Sequence, residues 1–217
     1  MKIECAPFGP FETNCYLITD EAKKTCAVID APPGSARPIL GELERRGLTP
    51  ECLLLTHGHW DHMADAHLFQ KAGAKVYAHK DDRVIIEEVA RVAPKYKAMV
   101  PWLTDADFTP CSVDVWLEDG DTVTVLGVPF GVRHVPGHCP GSLLFHCPSE
   151  NLAFSGDAIF AGSVGRTDLP GGDWNTLLKS IREKIYTLPE ETVLFPGHGG
   201  ETSVEEEMAS NRYARPA

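Results

Sequence analysis

Short apolar runs, broken by turn residues, set the rhythm of this chain. Residues 2–5, 14–19 and 25–29 carry the β-branched and aromatic side chains of strands. The third run stops at Asp30, and Pro32-Pro33-Gly34 turns the chain. Ser35 is the expected N-cap of a helix whose apolar face is Ile39, Leu40 and Leu43 and whose stop is Gly47. A strand over 52–55, a helix from Ala64 to Lys71 and a strand over 75–78 follow. Asp81 is placed to cap a helix reaching about Val92. Residues 93–112 hold Pro94, Pro101 and Pro110 with Tyr96, Trp102 and Phe108, and read as irregular. Such a long connection is either an active-site lid or a surface loop with its aromatics tucked inward.

The second half is richer in strands. Asp119-Gly120-Asp121 is a turn, and the runs 122–126, 130–134, 142–146 and 152–155 follow it. Trp174, Leu178, Ile181 and Ile185 keep helical spacing, which predicts a helix over 173–186. A last strand spans 192–195, and Ser203 with Glu206 forms a capping box for a short terminal helix. Strands and then helices recur in two halves, without a Gly, Ser or Pro linker between them. The pattern predicts one α/β domain over residues 1–217, with two packed sheets and helices outside them.

Composition narrows the function classes. The charge of −11 argues against a nucleic-acid or anionic-membrane partner. The seven cysteines are scattered without a C-x-x-C spacing, so they read as small buried side chains in a reducing cytoplasm. The N-terminal residues carry no signal-like apolar region, and no apolar run approaches a membrane span.

The chemistry is concentrated in His57-Gly58-His59-Trp60-Asp61-His62, just after the 52–55 strand. Neither a strand nor a helix can aim all four candidate ligands to one side. A tight loop turning at Gly58 can. His138, Asp157 and His198 each sit beside glycine in a loop that follows a strand. With Asp157 shared between two cations, His57, His59 and His138 complete one group, and Asp61, His62 and His198 the other. All donors are N or O, which suits zinc first and iron or manganese next. His67, His79, His134 and His146 read as surface or satisfied core residues. Lys95, Lys97 and Arg133 read as solvated surface, and Arg166 with Asp168 as an ion pair. Asp30 and Cys139 are expected behind the ligands, hydrogen-bonding or packing rather than binding metal.

Five stretches carry a resemblance: Thr56–His62, Pro136–Ser142, Phe154–Asp157, Gly165–Asp168 and Pro196–Gly199. In this order they resemble the metallo-β-lactamase superfamily, and within it the compact glyoxalase-II-like hydrolases. Asp30 matches that family's early structural aspartate, and Thr56 opens the first motif behind His57. The resemblance implies a four-layer αββα sandwich with two divalent metal ions at one edge. It implies hydrolysis of a thioester such as S-D-lactoylglutathione, with Asp61 orienting a metal-bridging hydroxide. Glyoxalase II enzymes with a longer chain carry a C-terminal helical region that holds glutathione. Here about 19 residues follow His198, and no family motif falls on them, so no separate C-terminal helical domain is expected. Gly165–Asp168 also resembles persulfide dioxygenases, whose single iron His57, His138 and Asp157 could hold. A lactonase or esterase of the same superfamily is a further alternative. A non-enzymatic metal protein fits less well, because its ligands should close the site.

Overall fold

A computed structural model describes residues 1–216. The first sheet contains β1 (Lys2–Phe8), β2 (Thr13–Asp20) and β3 (Thr25–Ile29). Helix α1 (Ala36–Arg46) leads to β4 (Thr49–Leu54), followed by α2 (Trp60–Met63) and α3 (Ala66–Lys71). Next come β5 (Lys75–His79), α4 (Arg83–Glu87), α5 (Ala93–Met99) and β6 (Val115–Leu117). The spatial order is β1-β2-β3-β4-β5-β6, antiparallel up to β3 and parallel from β3 to β6.

The second half begins with β7 (Thr122–Val125), β8 (Val128–His134), β9 (Leu143–Cys147) and β10 (Leu152–Gly156). A hairpin of β11 (Ile159–Phe160) and β12 (Ser163–Val164) precedes α6 (Trp174–Ser180). Then follow β13 (Val193–Pro196), β14 (Thr202–Ser203) and α7 (Val204–Ser210). The second sheet runs β14-β13-β10-β9-β8-β7, antiparallel except for the β10–β13 pair.

Alternation along the strands creates the layers. Leu17, Val28 and Leu53 face outward and pack on Ile39 and Leu43 of α1 and Phe69 of α3. Their neighbours Ile18, Ile29 and Leu54 face the other way and meet Phe130, Phe145 and Phe154 of the second sheet. Those three phenylalanines are fully buried, each contributing about 1.5–3 kcal/mol. The outer face of the second sheet, including Leu144, Ala153 and Leu194, packs on Leu177, Ile181 and Val204. The result is the expected mixed α/β architecture, with helices on the outer faces of two packed sheets.

Several elements differ from the sequence expectation. Ser35 stands at the start of α1 with no side-chain capping bond; the Asp65 carboxylate accepts from Ala36 N instead. The expected helix over 81–92 is interrupted: a 3₁₀ turn at 80–82, α4 and a second turn at 89–91 replace it. The 93–112 segment is not irregular throughout, since Pro94 sits in the first turn of α5, where its missing N–H is harmless. The 173–186 helix holds α geometry to Ser180 and then widens into a π turn over Ile181–Ile185. Strands β6, β11, β12 and β14 are too short to leave a pattern. Among the described residues no helix is long and apolar enough to cross a membrane.

Candidate metal centre

The strand ends bring the chemistry to one edge of the sandwich. Asp30 follows β3, His57 follows β4, Asp157 follows β10 and His198 follows β13. His138 lies in the β8–β9 connection. Backbone bonds knit these ends together: Leu143 N donates to Thr56 O at 2.7 Å, Gly197 N to Gly156 O at 2.8 Å and Asn14 N to Gly197 O at 2.7 Å.

The opening motif is not a loop throughout. His59 takes an extended conformation, and Trp60, Asp61 and His62 form the first turn of α2. Gly58 is needed for space rather than for unusual dihedrals. A Cβ there would lie 3.1–3.2 Å from Ile86, Asp82 and Ile85.

The seven candidate ligands converge. His57, His59 and His138 offer ring nitrogens within 4.8 Å of one another, and so do the donor atoms of Asp61, His62 and His198. Asp157 lies between the groups. Its Oδ2 is 3.5 Å from His138 Nε2 and 3.4 Å from His198 Nε2, and its Oδ1 is 3.3 Å from His62 Nε2.

Each ring is oriented from behind. His138 Nδ1 donates to Arg166 O at 2.8 Å, and His198 Nδ1 to Phe11 O at 3.0 Å. Both Nε2 atoms therefore face inward, toward Asp157. Asp30 accepts from Thr56 N and Thr56 Oγ1 at 2.7 Å each, and from His62 Nδ1 at 2.7 Å. With its proton given to Asp30, Thr56 Oγ1 can only accept from His57 Nδ1, 3.1 Å away. His57 Nε2 thus turns a lone pair toward the lone pair of His138 Nε2, 3.2 Å away. Two facing lone pairs require something positive between them. His62 Nε2 and Asp157 Oδ1 are buried and, although 3.3 Å apart, make no well-aligned hydrogen bond. Buried polar atoms of this kind call for an ion or water. The donor set therefore fits cations.

The electrostatics divide the cluster. Burial holds His57 well below the ordinary imidazole range, with His62, His59 and His138 adding to the effect. Burial and His138 bring His59 to about 3, and burial also lowers His138. These three rings are neutral, the form a metal needs. On the other side, burial opposes charge on His62 and His198, but carboxylates prevail. Asp157, Asp61 and Asp30 raise His62 well above its usual range, and hydrogen bonds to Asp157 and Asp61 raise His198 to about 10. Burial works to raise Asp61, yet His62 and His198 bring it to about 2, and Asp157 is likewise lowered.

Three residues around the cluster carried no site assignment in the sequence. Thr13 Oγ1 donates to Asp61 Oδ2 at 3.0 Å. Asp82, fully buried, accepts from Gly58 N and Gly141 N at 2.7 Å each and from Cys139 Sγ at 3.1 Å. It thereby joins the two histidine-bearing loops. Cys139 faces this carboxylate, so its place behind the ligands is one of bracing. Tyr96 sits at the ring edge of His59, with centroids 6.2 Å apart. For Asp82 no local signal was available, since its partners lie 24 and 59 positions away.

The cluster opens into a cavity of about 650 Å³. His59, Asp61, His138, Asp157 and His198 form its polar floor. Tyr96, Met99 and Val100 from the 93–112 segment form part of its wall, while Trp60 Nε1 donates to Asp107 O at 2.7 Å. Arg166 reaches the cavity but is held by Asp168 through two 2.7 Å bonds, the expected ion pair. Lys97 pairs with Asp105, and Arg133 donates to Lys184 O and Thr187 Oγ1. His79 stacks on His134 at 4.0 Å, outside the cluster.

A two-sheet sandwich with a histidine–aspartate cluster at one edge defines a class of metal-dependent enzymes. The Metallo-beta-lactamase superfamily profile matches residues 8–198, and the chain belongs to that superfamily. It is 36% identical over 217 residues to the hydroxyacylglutathione hydrolase GloC of Haemophilus influenzae, covering 98% of each chain. Among solved structures it resembles TTHA1623 in a di-iron-bound form, with a TM-score of 0.80, 33% identity and coverage of 97% and 99%. It also resembles ETHE1 from Myxococcus xanthus, with a TM-score of 0.79, 27% identity and coverage of 99% and 85%.

Proposed function

We propose that this chain is a metal-dependent thioester hydrolase, for which acylglutathiones such as S-D-lactoylglutathione are the first substrates to test. The observation that carries this is Asp157, whose two oxygens face both donor groups on the floor of an open cavity. His57, His59, His138 and Asp157 would hold one ion; Asp61, His62, His198 and Asp157 would hold the other. Nitrogen and oxygen donors suit zinc first, with iron or manganese next. Such ions, when bound, acidify water and polarise a substrate carbonyl.

The protein groups do the positioning. Asp30 fixes the tautomer and direction of His62, and the Arg166 and Phe11 carbonyls do the same for His138 and His198. Asp61 lines the cavity and is steadied by Thr13, which leaves it able to accept a hydrogen bond from an attacking water. A thiol leaving group, with an ordinary pKa of about 8.5, departs without an obligatory general acid. The identity to GloC supports acylglutathiones, and the likeness to TTHA1623 supports two ions. The charge of −11 and the seven free cysteines support a small-molecule substrate and a reducing, cytoplasmic setting.

A second reading has specific support. Gly165-Arg166-Thr167-Asp168 and the likeness to ETHE1 favour a persulfide dioxygenase using one iron on His57, His138 and Asp157. Parallel assays separate the two readings. Cleavage of S-D-lactoylglutathione or another thioester supports the hydrolase; persulfide-dependent oxygen uptake without thioester cleavage replaces it. Cleavage of lactones or oxygen esters in preference to thioesters would assign the chain to that branch instead.

A further inference from the structure

Away from its floor, the cavity is apolar. Phe11, Trp60, Met99, Val100, Phe160 and Leu169 form most of the wall, and among the described residues Arg166 is the one Lys or Arg that lines it, already bound to Asp168. A second cavity of about 60 Å³ continues past α5 and shares Tyr96, Met99 and Leu169 with the first. Ile85, Val92 and Pro170 complete its apolar lining, with Lys95 the single charged residue among the described ones. The rim is unusual as well. Phe11 and Met99 are each 46% exposed, and Trp102 is 57% exposed beside Trp60, with ring centroids 6.2 Å apart. Exposed large side chains are ordinary when scattered, but grouped at one mouth they mark a binding surface.

Glutathione presents two carboxylates and an ammonium. Burying those charges requires partners that this wall supplies sparingly. An alkyl or aryl arm, in contrast, would displace water from surface that is otherwise exposed.

We propose that the cavity selects its thioester by an apolar arm lying along α5, not by the charges of glutathione; this rests on the thioester reading above. The carbonyl sits over the histidine–aspartate floor, and the arm runs over Tyr96, Met99 and Leu169 toward the smaller cavity. Methylenes added to that arm are buried one by one, each worth about fourfold in kcat/KM until the trough is filled.

The test uses the metal-containing enzyme and three substrate series. In one, acyl groups from acetyl to octanoyl are carried on N-acetylcysteamine, a neutral thiol. In another, the same acyl groups are carried on glutathione. In a third, acetyl is carried on thiols from ethanethiol to octanethiol. The expected result is a steep climb in kcat/KM along the acyl or the alkanethiol series. Matched glutathione and N-acetylcysteamine thioesters should differ by less than about threefold, and Met99→Gln should flatten the climb. Flat series, or a glutathione preference above about tenfold at every chain length, would overturn the proposal. If no thioester is cleaved, the hydrolase reading itself fails. The apolar selection is then read separately, from quenching of tryptophan fluorescence by S-alkyl-N-acetylcysteamine thioethers. Affinity that rises with alkyl length supports the trough, and length-independent affinity removes it.

Discussion

Replacing Asp82 by alanine should damage the metal centre from a distance. The carboxylate is fully buried and accepts two backbone N–H bonds of 2.7 Å, from Gly58 and Gly141, besides the Cys139 thiol. Each buried N–H left without an acceptor costs about 1–3 kcal/mol. Two of them give about 2–6 kcal/mol, and release of a desolvated carboxylate returns part, leaving about 2–4 kcal/mol. For a chain of this length that corresponds to a fall of about 4–16 °C in Tm. Gly58 precedes His59, and Gly141 closes the loop that carries His138, so both loops lose their common anchor. Misplaced ligands of this kind lower metal affinity by about 10–100-fold. Asp82→Asn retains one oxygen acceptor and should fall between wild type and alanine. Thermal unfolding and competition for zinc with a chromophoric chelator measure the two effects. The bracing role is wrong if Asp82→Ala keeps Tm within about 2 °C and zinc affinity within about threefold.

Other outcomes follow from the same geometry. Gly197→Ala would set a Cβ 2.1 Å from Asp157 Oδ1 and 2.6 Å from His62 Cε1, so elemental analysis should show at least one ion lost; full metal content would contradict the crowding. Thr13→Val removes the hydrogen bond that steadies Asp61, and kcat should fall about tenfold, the worth of roughly 1.4 kcal/mol, with metal content intact. In chelator-treated protein, His198 is raised from 6.5 to about 10, so its stabilising pairs are complete below pH 6.5 and are lost as pH rises toward 10. Asp61 is lowered from 3.8 to about 2, so its contribution is present above pH 3.8 and is lost as pH falls toward 2. Tm of that sample should decline as pH rises from 6.5 toward 10, while below pH 6.5 the depressed His57, His59 and His138 withdraw stability too; a Tm that holds level between pH 6.5 and 10 would contradict the His198 assignment.

The legible parts of this chain were those with local signatures. Five of the seven candidate ligands adjoin a glycine just beyond an apolar run, Asp61 and His62 follow Gly58 by three and four residues, and the structure brings all seven together. The two-sheet architecture was legible for the same reason, since the longer strands stand out as runs of strand-forming residues between turns. Asp82 was not, because its meaning lies in bonds to residues 24 and 59 positions away. Next to Asp81 it resembles an ordinary helix start. Asp65 posed the same problem: it caps α1 from 29 residues downstream and takes the place expected for Ser35. The break in the 173–186 helix was hidden too, because a π turn keeps apolar residues on the buried face while changing their spacing. Helix α5 had a readable sign in Pro94, but the surrounding prolines and aromatics obscured it.

The central claim is a pair of ions held through Asp157. Elemental analysis of the purified protein, with thioester cleavage measured on the same sample, tests it most directly. The account predicts about two ions per chain, zinc first, with Asp157→Ala losing both metal and activity. One iron per chain with persulfide-dependent oxygen uptake and no thioester cleavage, or an Asp157→Ala variant that keeps full metal and activity, would contradict it.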